Sequence, residues 1–370
     1  MSSIDPTKPY NNLPLIPPAN VDFETPAILK ASLEAAGAIG ELRASIWTDP
    51  SNAMRALDMV RPLFVPEAVT SSAVENIVTT NEKVYEAQTE ASYKQTPAEK
   101  EAIRYVDALT RGIYRLADRA FLNTNDFITL QEILEPTRSG IRSFTGTHLS
   151  NPATGEIYYT PPEGEKLIRS LLANYERYLN DKAPLTEVYA RMAILHYQFE
   201  AIHPFPDGNG RTGRMLMPLY LMLQGQLDIP VLFISRYILN NRDEYYQRLR
   251  AVTLNGEWEA WILYIIQATT QQARYTSGVL RKVRNTIEMV TADIKKNLPA
   301  VYRPELVDFI FSEPYFDVAY FQKQMGISYA TARKYLDLLE QGKYLSRKRQ
   351  NGRNRYLYAN PRYLNILKQS

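Results

Sequence analysis

Apolar residues along this 370-residue chain recur mainly at helical spacing, so the pattern predicts a mainly α protein. The clearest stretch runs from Leu185 to Ile202. There Val188, Met192, Leu195, Phe199 and Ile202 fall three and four residues apart and mark one buried helix face. A second helix is expected from about Thr212 to Gln224. Toward the N-terminus, residues 24–46, 71–87 and 97–116 carry helical patterns, and Pro50, Pro62 and Pro66 break the chain between the first two. The first 25 residues hold Pro6, Pro9, Pro14, Pro17 and Pro18 and read as an extended arm. Between Arg142 and Pro162 the pattern becomes strand, turn and strand, with the turn at residues 151–155, which predicts a β-hairpin.

From Val301 the pattern changes. A basic amphipathic helix, about Gln271 to Leu298, ends at Pro299. A short helix from Tyr315 to Met325 follows, then a turn at Gly326, an N-cap at Ser328, and a helix from Tyr329 to Gln341 closed by Gly342. Lys343 to Arg349 reads as a strand, Asn351 and Gly352 as a type I′ turn, and Arg353 to Tyr358 as the return strand. Helix, turn, helix and wing make a winged-helix pattern. The expected organisation is an N-terminal helical region (1–120), a catalytic core with its following helix (121–298), and a small α+β winged-helix domain (299–370).

Composition adds exclusions. Hydrophobic residues make up 45% and charged residues 22% of the chain, ordinary values for a soluble globular protein. With no cysteine, a disulfide scaffold and thiolate chemistry are both excluded. The N-terminus lacks the basic-then-apolar run of a signal peptide, and no segment reaches the ~20 apolar residues of a membrane span, so a cytoplasmic protein is expected. Net charge is +3, yet Lys343, Arg347, Lys348, Arg349, Arg353, Arg355, Arg362 and Lys368 fall in the last thirty residues without one Asp or Glu. A basic tail on a mildly acidic body suggests a separate module with an anionic partner.

Residues 203–214 carry the chemistry. His203 is a candidate proton acceptor, Asp207 a carboxylate, Gly208, Asn209 and Gly210 a flexible turn, and Arg211 and Arg214 two guanidiniums. Pro204 and Pro206 bar a helix up to this point, and apolar periodicity resumes at Met215, so the turn feeds a helix N-terminus. Exposed amides and the positive end of the helix dipole suit an anion there. One carboxylate suits Mg²⁺, which binds through one or two carboxylates together with substrate phosphates and water. Of the three histidines, His203 adjoins this site; His196 reads as structural, and His148, in the hairpin, as a substrate-positioning group.

At these residues the chain resembles the Fic family, whose motif H-x-F-x-[D/E]-G-N-G-R-x-x-R is matched by His203, Phe205, Asp207, Gly208, Asn209, Gly210, Arg211 and Arg214. The resemblance implies a helical Fic core and transfer of AMP from ATP to a Ser, Thr or Tyr hydroxyl of a target protein, or of the protein itself. It makes His203 the base, Asp207 the Mg²⁺ ligand, and residues 207–214, Thr212 and Gly213 included, the phosphate site, with Arg211 and Arg214 on the outer phosphates. A family variant with lysine at the place of Gly210 transfers the terminal phosphate instead, so glycine here favours AMP. The hairpin with Thr145, Gly146, Thr147 and His148 looks like the family's flap, which docks the target by strand addition. Tyr245 and Tyr246 resemble a pair lining the adenine pocket; plain packing on their helix explains each equally well.

Ser71, Glu75 and Asn76 fit the family's inhibitory motif, [S/T]-x-x-x-E-[G/N]. The resemblance implies that Glu75 pairs with Arg214 and keeps the γ-phosphate out of its seat. A capping box between Ser72 and Glu75 is the competing explanation. Similar family members also remove AMP, and since winged helices often serve as protein-docking or dimerisation modules, a homodimer is among the partners considered. A different class of reading is a DNA-binding regulator, with Tyr329, Arg333 and Lys334 in the major groove and the core secondary or inactive; transfer of UMP or phosphocholine is a third.

Overall fold

The computed structural model describes residues 4–19, 21–46, 53–89, 95–150, 154–182, 186–349 and 356–369. Helices dominate, as the apolar spacing predicts. In chain order they begin with α1 (Pro26–Ser45), α2 (Ala53–Val60), a 3₁₀ turn (Arg61–Leu63), α3 (Phe64–Val74), α4 (Asn81–Gln88), α5 (Pro97–Asp118) and α6 (Thr124–Leu134). A hairpin of β1 (Leu149–Ser150) and β2 (Ile157–Tyr159) leads to α7 (Glu165–Leu179), α8 (Val188–Ile202), α9 (Asn209–Leu223), α10 (Ile234–Asn240), α11 (Arg242–Asn255) and α12 (Trp258–Asn297). The C-terminal part comprises α13 (Pro304–Ser312), α14 (Val318–Met325), α15 (Tyr329–Gln341), β3 (Ser346–Arg349), β4 (Tyr356–Ala359) and α16 (Pro361–Gln369).

The chain forms two compact units, and neither is continuous in sequence. One holds Met1–Arg43, Thr70–Asn76 and Arg104–Arg274; the other holds Ala44–Val69, Ile77–Ile103 and Tyr275–Ser370. At the centre of the first, α8 packs between α7 and α9, and α9 also meets α6. Thirteen of the fifteen α8 residues are buried, so this helix is enclosed on nearly every side rather than on the single face its spacing suggests. Phe127, Tyr175, Phe199 and Phe205 pack edge-on or tilted at 5.5–6.2 Å and hold the 203–209 loop to the core through Phe205. Edge-to-face rings contribute about 0.5–1.5 kcal/mol per pair beyond area burial.

Several expectations are corrected. The helix expected over 71–87 is two helices: α3 ends at Val74, Asn76 adopts a left-handed φ of 63°, and α4 starts at Asn81 with Thr80 as its cap. Pro62 sits in the 3₁₀ turn between α2 and α3, but Pro66 breaks nothing: it lies in the first turn of α3, where proline's missing N–H has no helical partner to lose. The second core helix starts at Asn209 rather than Thr212, because Gly208 caps it at φ 80°. Among the described residues the first arm of the hairpin is Leu149 and Ser150; Gly146, at φ 84°, lies before it outside the strand. The basic helix begins thirteen residues earlier than expected, at Trp258, since no proline or glycine interrupts residues 258–270.

The proline-rich arm is docked rather than free. Tyr10 N–H donates to the Thr160 carbonyl (3.0 Å), the Thr160 hydroxyl to the Pro6 carbonyl (2.7 Å), and Glu163 N–H to the Asn11 side chain (2.9 Å). Leu13, Ile16 and Phe23 are buried.

In the second unit, the expected helix–turn–helix and hairpin are present. Asp317 caps α14, Ser328 caps α15, and β3 pairs antiparallel with β4 from Ser346 opposite Ala359 to Arg349 opposite Tyr356. Phe316 adds a bridge to Tyr358. The type I′ turn expected at Asn351 and Gly352 lies outside the described residues.

Candidate active site

The site is built where α8 ends and α9 begins. His203 closes α8 in the left-handed conformation (φ 48°), its N–H still donating to the Phe199 carbonyl. Asn209 then clips the loop shut: its Oδ1 accepts from Phe205 N–H and its Nδ2 donates to the Phe205 carbonyl, both at 2.8 Å. The Asn209 side chain is thereby committed to the loop itself. Gly208 N–H donates to Asp207 Oδ1 (2.7 Å), and the Gln131 side chain on α6 donates to the Asp207 carbonyl (3.0 Å). Gly213 is a packing position: a Cβ there would overlap the Glu200 carboxylate and lie 3.2 Å from Phe199. Thr212 is likewise fully buried, so neither residue is open to a ligand's phosphates through its side.

Both arginines are engaged by protein groups. Arg211 Nη2 lies 2.8 Å from Glu135 and 3.2 Å from Asp207. Arg214, 1% exposed, donates from Nη2 to Glu75 Oε1 and to the Ser71 carbonyl at 2.9 Å, and from Nε to the Ser71 hydroxyl at 3.0 Å. Ser71 and Glu75 lie in the last turn of α3 and just past it, so the capping-box explanation fails: the carboxylate is at a helix C-terminus, not an N-terminus. Nearby, Arg242 donates to the Asn76 side chain at 2.7 Å. Gly210 lets Glu75 approach, since a Cβ there would collide with the Glu75 carboxylate and sit 2.9 Å from Arg214.

Charge states follow from this packing. Burial pushes the Glu75 carboxyl up, but the adjoining Arg214 guanidinium, its hydrogen bond and Arg211 outweigh it and hold Glu75 below the ordinary carboxylate value. Burial, then Arg142, lowers His203 to about 4, against the opposing pull of Glu75 and Asp207; its imidazole is neutral at physiological pH, as a base must be. Glu200, unforeseen from sequence, is raised to about 7 by burial and by Glu75, with Arg214 opposing. A half-buried glutamate three residues before His203 was visible in the sequence only as a polar interruption of the α8 apolar pattern.

The other candidates separate. His196 is structural, as expected: buried, lowered to about 3 by burial and Arg214, with Nε2 2.9 Å from the Tyr245 hydroxyl. Tyr245 is itself core, enclosed by His196, Trp261 and Tyr264, so its ring has no free face for adenine. Tyr246 is 38% exposed and lies 5.1 Å from the Tyr245 ring. Thr145, Gly146 and His148 are exposed, Thr147 half-buried; Glu163 accepts from Gly146 N–H (2.7 Å), and His148 Nδ1 is 3.1 Å from the Gly146 carbonyl.

Among the described residues no cluster of three or more His, Cys, Asp or Glu forms a ready-made metal cage. The donor set still fits Mg²⁺, which takes few protein carboxylates: Asp207 is 44% exposed, and its Oδ2 has no partner closer than Arg138 at 3.8 Å. In the C-terminal unit, four of the eight tail cations are already in ion pairs. Arg347 pairs with Glu340, Lys348 with Glu82 and Glu86, Arg362 with Asp293, and Lys368 with Glu82. Arg353 and Arg355 lie outside the described residues, so at least half of the tail's cations already have a carboxylate of the same unit beside them.

With this geometry in view, relatives can be placed. Residues 121–221 match the Fic/DOC family model, 29–114 the Fic/DOC family N-terminal model, and 286–363 the model described as "Protein adenylyltransferase SoFic-like, C-terminal domain". The chain belongs to the Fic/DOC family. A curated relative, "Protein adenylyltransferase Fic" of Aedes aegypti, is 34% identical over 152 residues, which is 40% of this chain and 29% of the relative. The chain spans about a third or less of the curated relatives it first matches. A Fic family protein from Desulfovibrio desulfuricans G20 shares the fold at TM-score 0.52 and 20% identity, covering 91% of this chain and 96% of that one. Fic-1 (residues 134–508) from C. elegans does so at 0.52 and 21%, covering 70% and 75%. No helix among the described residues is long and apolar enough to cross a membrane.

Proposed function

We propose that this chain is a protein adenylyltransferase held in a braked state. The observation that carries the proposal is the triple clasp on Arg214, from Glu75 and from the hydroxyl and carbonyl of Ser71, directly after the His203 loop. A fully buried guanidinium is costly unless paired. Once Glu75 withdraws, Arg214 needs a new anion, and a γ-phosphate is one of the right charge and fork geometry.

The hydroxyl oxygen of a Ser, Thr or Tyr attacks the α-phosphorus of ATP, forming the new P–O bond as the bond to the β-phosphate oxygen breaks and pyrophosphate leaves. Its proton passes to His203, whose Nδ1 is buried and whose Nε2 is the remaining acceptor. Backbone amides at the start of α9 and the helix dipole stabilise charge on the α-phosphate. Arg211 and Arg214 hold the outer phosphates, Asp207 would hold Mg²⁺, and Tyr246 offers an exposed ring to the adenine. Bound Mg²⁺ would neutralise phosphate charge as a Lewis acid. The β1–β2 flap, with Thr145, Gly146, Thr147 and His148 leading into it, docks the target segment. In sequence order, 1–120 carries the brake, 121–298 the catalytic core, and 299–370 a winged-helix module that docks protein. A cytoplasmic setting suits the cysteine-free composition.

The test is mass spectrometry of Glu75→Gly protein incubated with ATP and Mg²⁺, alone and with cell lysate. Peptides on Ser, Thr or Tyr carrying one added AMP are expected; addition of phosphate alone, or no addition in either mixture, overturns the proposal.

A further inference from the structure

Arg142, which opens the segment leading into β1, is 1% exposed yet hydrogen-bonded to no carboxylate among the described residues. Its bonds go to the loop that bears the base. Nε donates to the His203 carbonyl at 2.7 Å, Nη2 to the Ile202 carbonyl at 3.2 Å and to the Pro162 carbonyl, and the backbone N–H to the Pro204 carbonyl at 2.9 Å. Ile202 and His203 end α8, where carbonyls have no intrahelical partner. His203 also holds a left-handed backbone, which costs a non-glycine residue about 1–2 kcal/mol. One planar guanidinium therefore caps the helix, braces the strained residue, and ties both to Pro162 on the far side of the hairpin. Lysine lacks the fork needed to reach three carbonyls.

We infer that Arg142 is a positioning residue for the base: it locks the His203 loop in its left-handed turn, joins that loop to the root of the flap, and places a fixed positive charge beside the imidazole. The inference rests on reading His203 as the base. After burial, Arg142 is the charge that holds His203 low, while Glu75, a hydrogen bond with the Glu200 backbone and Asp207 pull upward. Glu163 and Tyr159 are the groups that oppose the burial of Arg142 itself.

The test uses the full chain carrying Glu75→Gly, with Arg142→Lys or Arg142→Met added. His203 titration is followed by NMR of labelled histidine, ATP affinity by calorimetry with Mg²⁺, and AMP transfer by mass spectrometry. Arg142→Met should raise the His203 midpoint, while Arg142→Lys, keeping the charge, should leave it near the parent value. Both should lower kcat at least about tenfold with KM for ATP within about threefold, since base alignment is lost and nucleotide contacts are not. Loss of kcat with an unmoved midpoint in Arg142→Met would mark Arg142 as a plain structural prop and overturn the inference; so would unchanged kcat in both variants. If Arg142→Met melts at the working temperature, the kcat of Arg142→Lys decides. If the Glu75→Gly parent transfers no AMP, the adenylyltransferase reading fails, and the titration still decides whether Arg142 sets the state of His203.

Discussion

Replacing Glu75 with glycine removes the carboxylate 2.9 Å from Arg214 while leaving both Ser71 contacts in place. A hydrogen bond to a charged partner contributes about 1.5–3 kcal/mol net. Because Glu75 is 35% exposed, solvent screens part of the attraction and the lower end, about 1.5–2 kcal/mol, is the better figure. At 1.4 kcal/mol per tenfold, the fraction of molecules with Arg214 free for phosphate should rise about ten- to thirtyfold. AMP transfer at subsaturating ATP should rise by the same factor, measured as labelled product per minute. Arg214 also loses its counter-charge, so the melting temperature without nucleotide should fall by several degrees and recover on adding ATP and Mg²⁺. Glu75→Gln, which keeps the shape without the charge, should lie between wild type and Glu75→Gly. Equal transfer by wild type and Glu75→Gly at every ATP concentration would refute the reasoning, because the clasp would then cost catalysis nothing.

His203→Ala should reduce transfer in the released protein by about 10²–10⁴, with ATP affinity by calorimetry nearly unchanged; retained turnover removes His203 as base. Tyr246→Ala should weaken ATP binding, whereas Tyr245→Phe should lower the melting temperature, because it leaves buried His196 without its partner at a cost of about 1–3 kcal/mol. Glu200 binds its proton more tightly folded (about 7) than unfolded (4.5), so between these values folding stability falls as pH rises. Glu200→Gln should therefore gain melting temperature over wild type from pH 5 to pH 8, by a shift worth on the order of 3 kcal/mol; a pH-independent difference would refute the assignment. Two histidines act in the opposite sense. His196 and His203, lowered to about 3 and about 4, stay neutral in the folded chain while the unfolded chain takes up protons below about 6.5. Acidification through that window should destabilise the protein, and His196→Gln should reduce the acid sensitivity seen by thermal melts.

Local rules made much of this protein legible from its residues. Helical spacing located α1, α5, α8 and α15 within a few positions, because buried faces repeat every three or four residues whatever lies opposite. Gly208 and the two prolines before it announced a turn entering a helix, since backbone sterics act over neighbouring residues alone. The grouping of His203, Asp207, Arg211 and Arg214 in one stretch was likewise local, and the structure brings those four together as their order suggests. Everything decided by partners far apart in the chain waited for the folded molecule. Glu75 meets Arg214 across 139 positions, and only its place past the end of α3 rules out a capping role. That the Asn209 side chain clips Phe205 was not legible either, and Tyr245 read equally as adenine stacker or helix packing until Trp261 and Tyr264 were seen beside it. Arg142 was one charged residue among many, because the carbonyls it binds lie some sixty residues away and carry no side-chain signature at all. Spacing reports what a residue is able to face; which face is filled, and by whom, is set by the packing of distant segments.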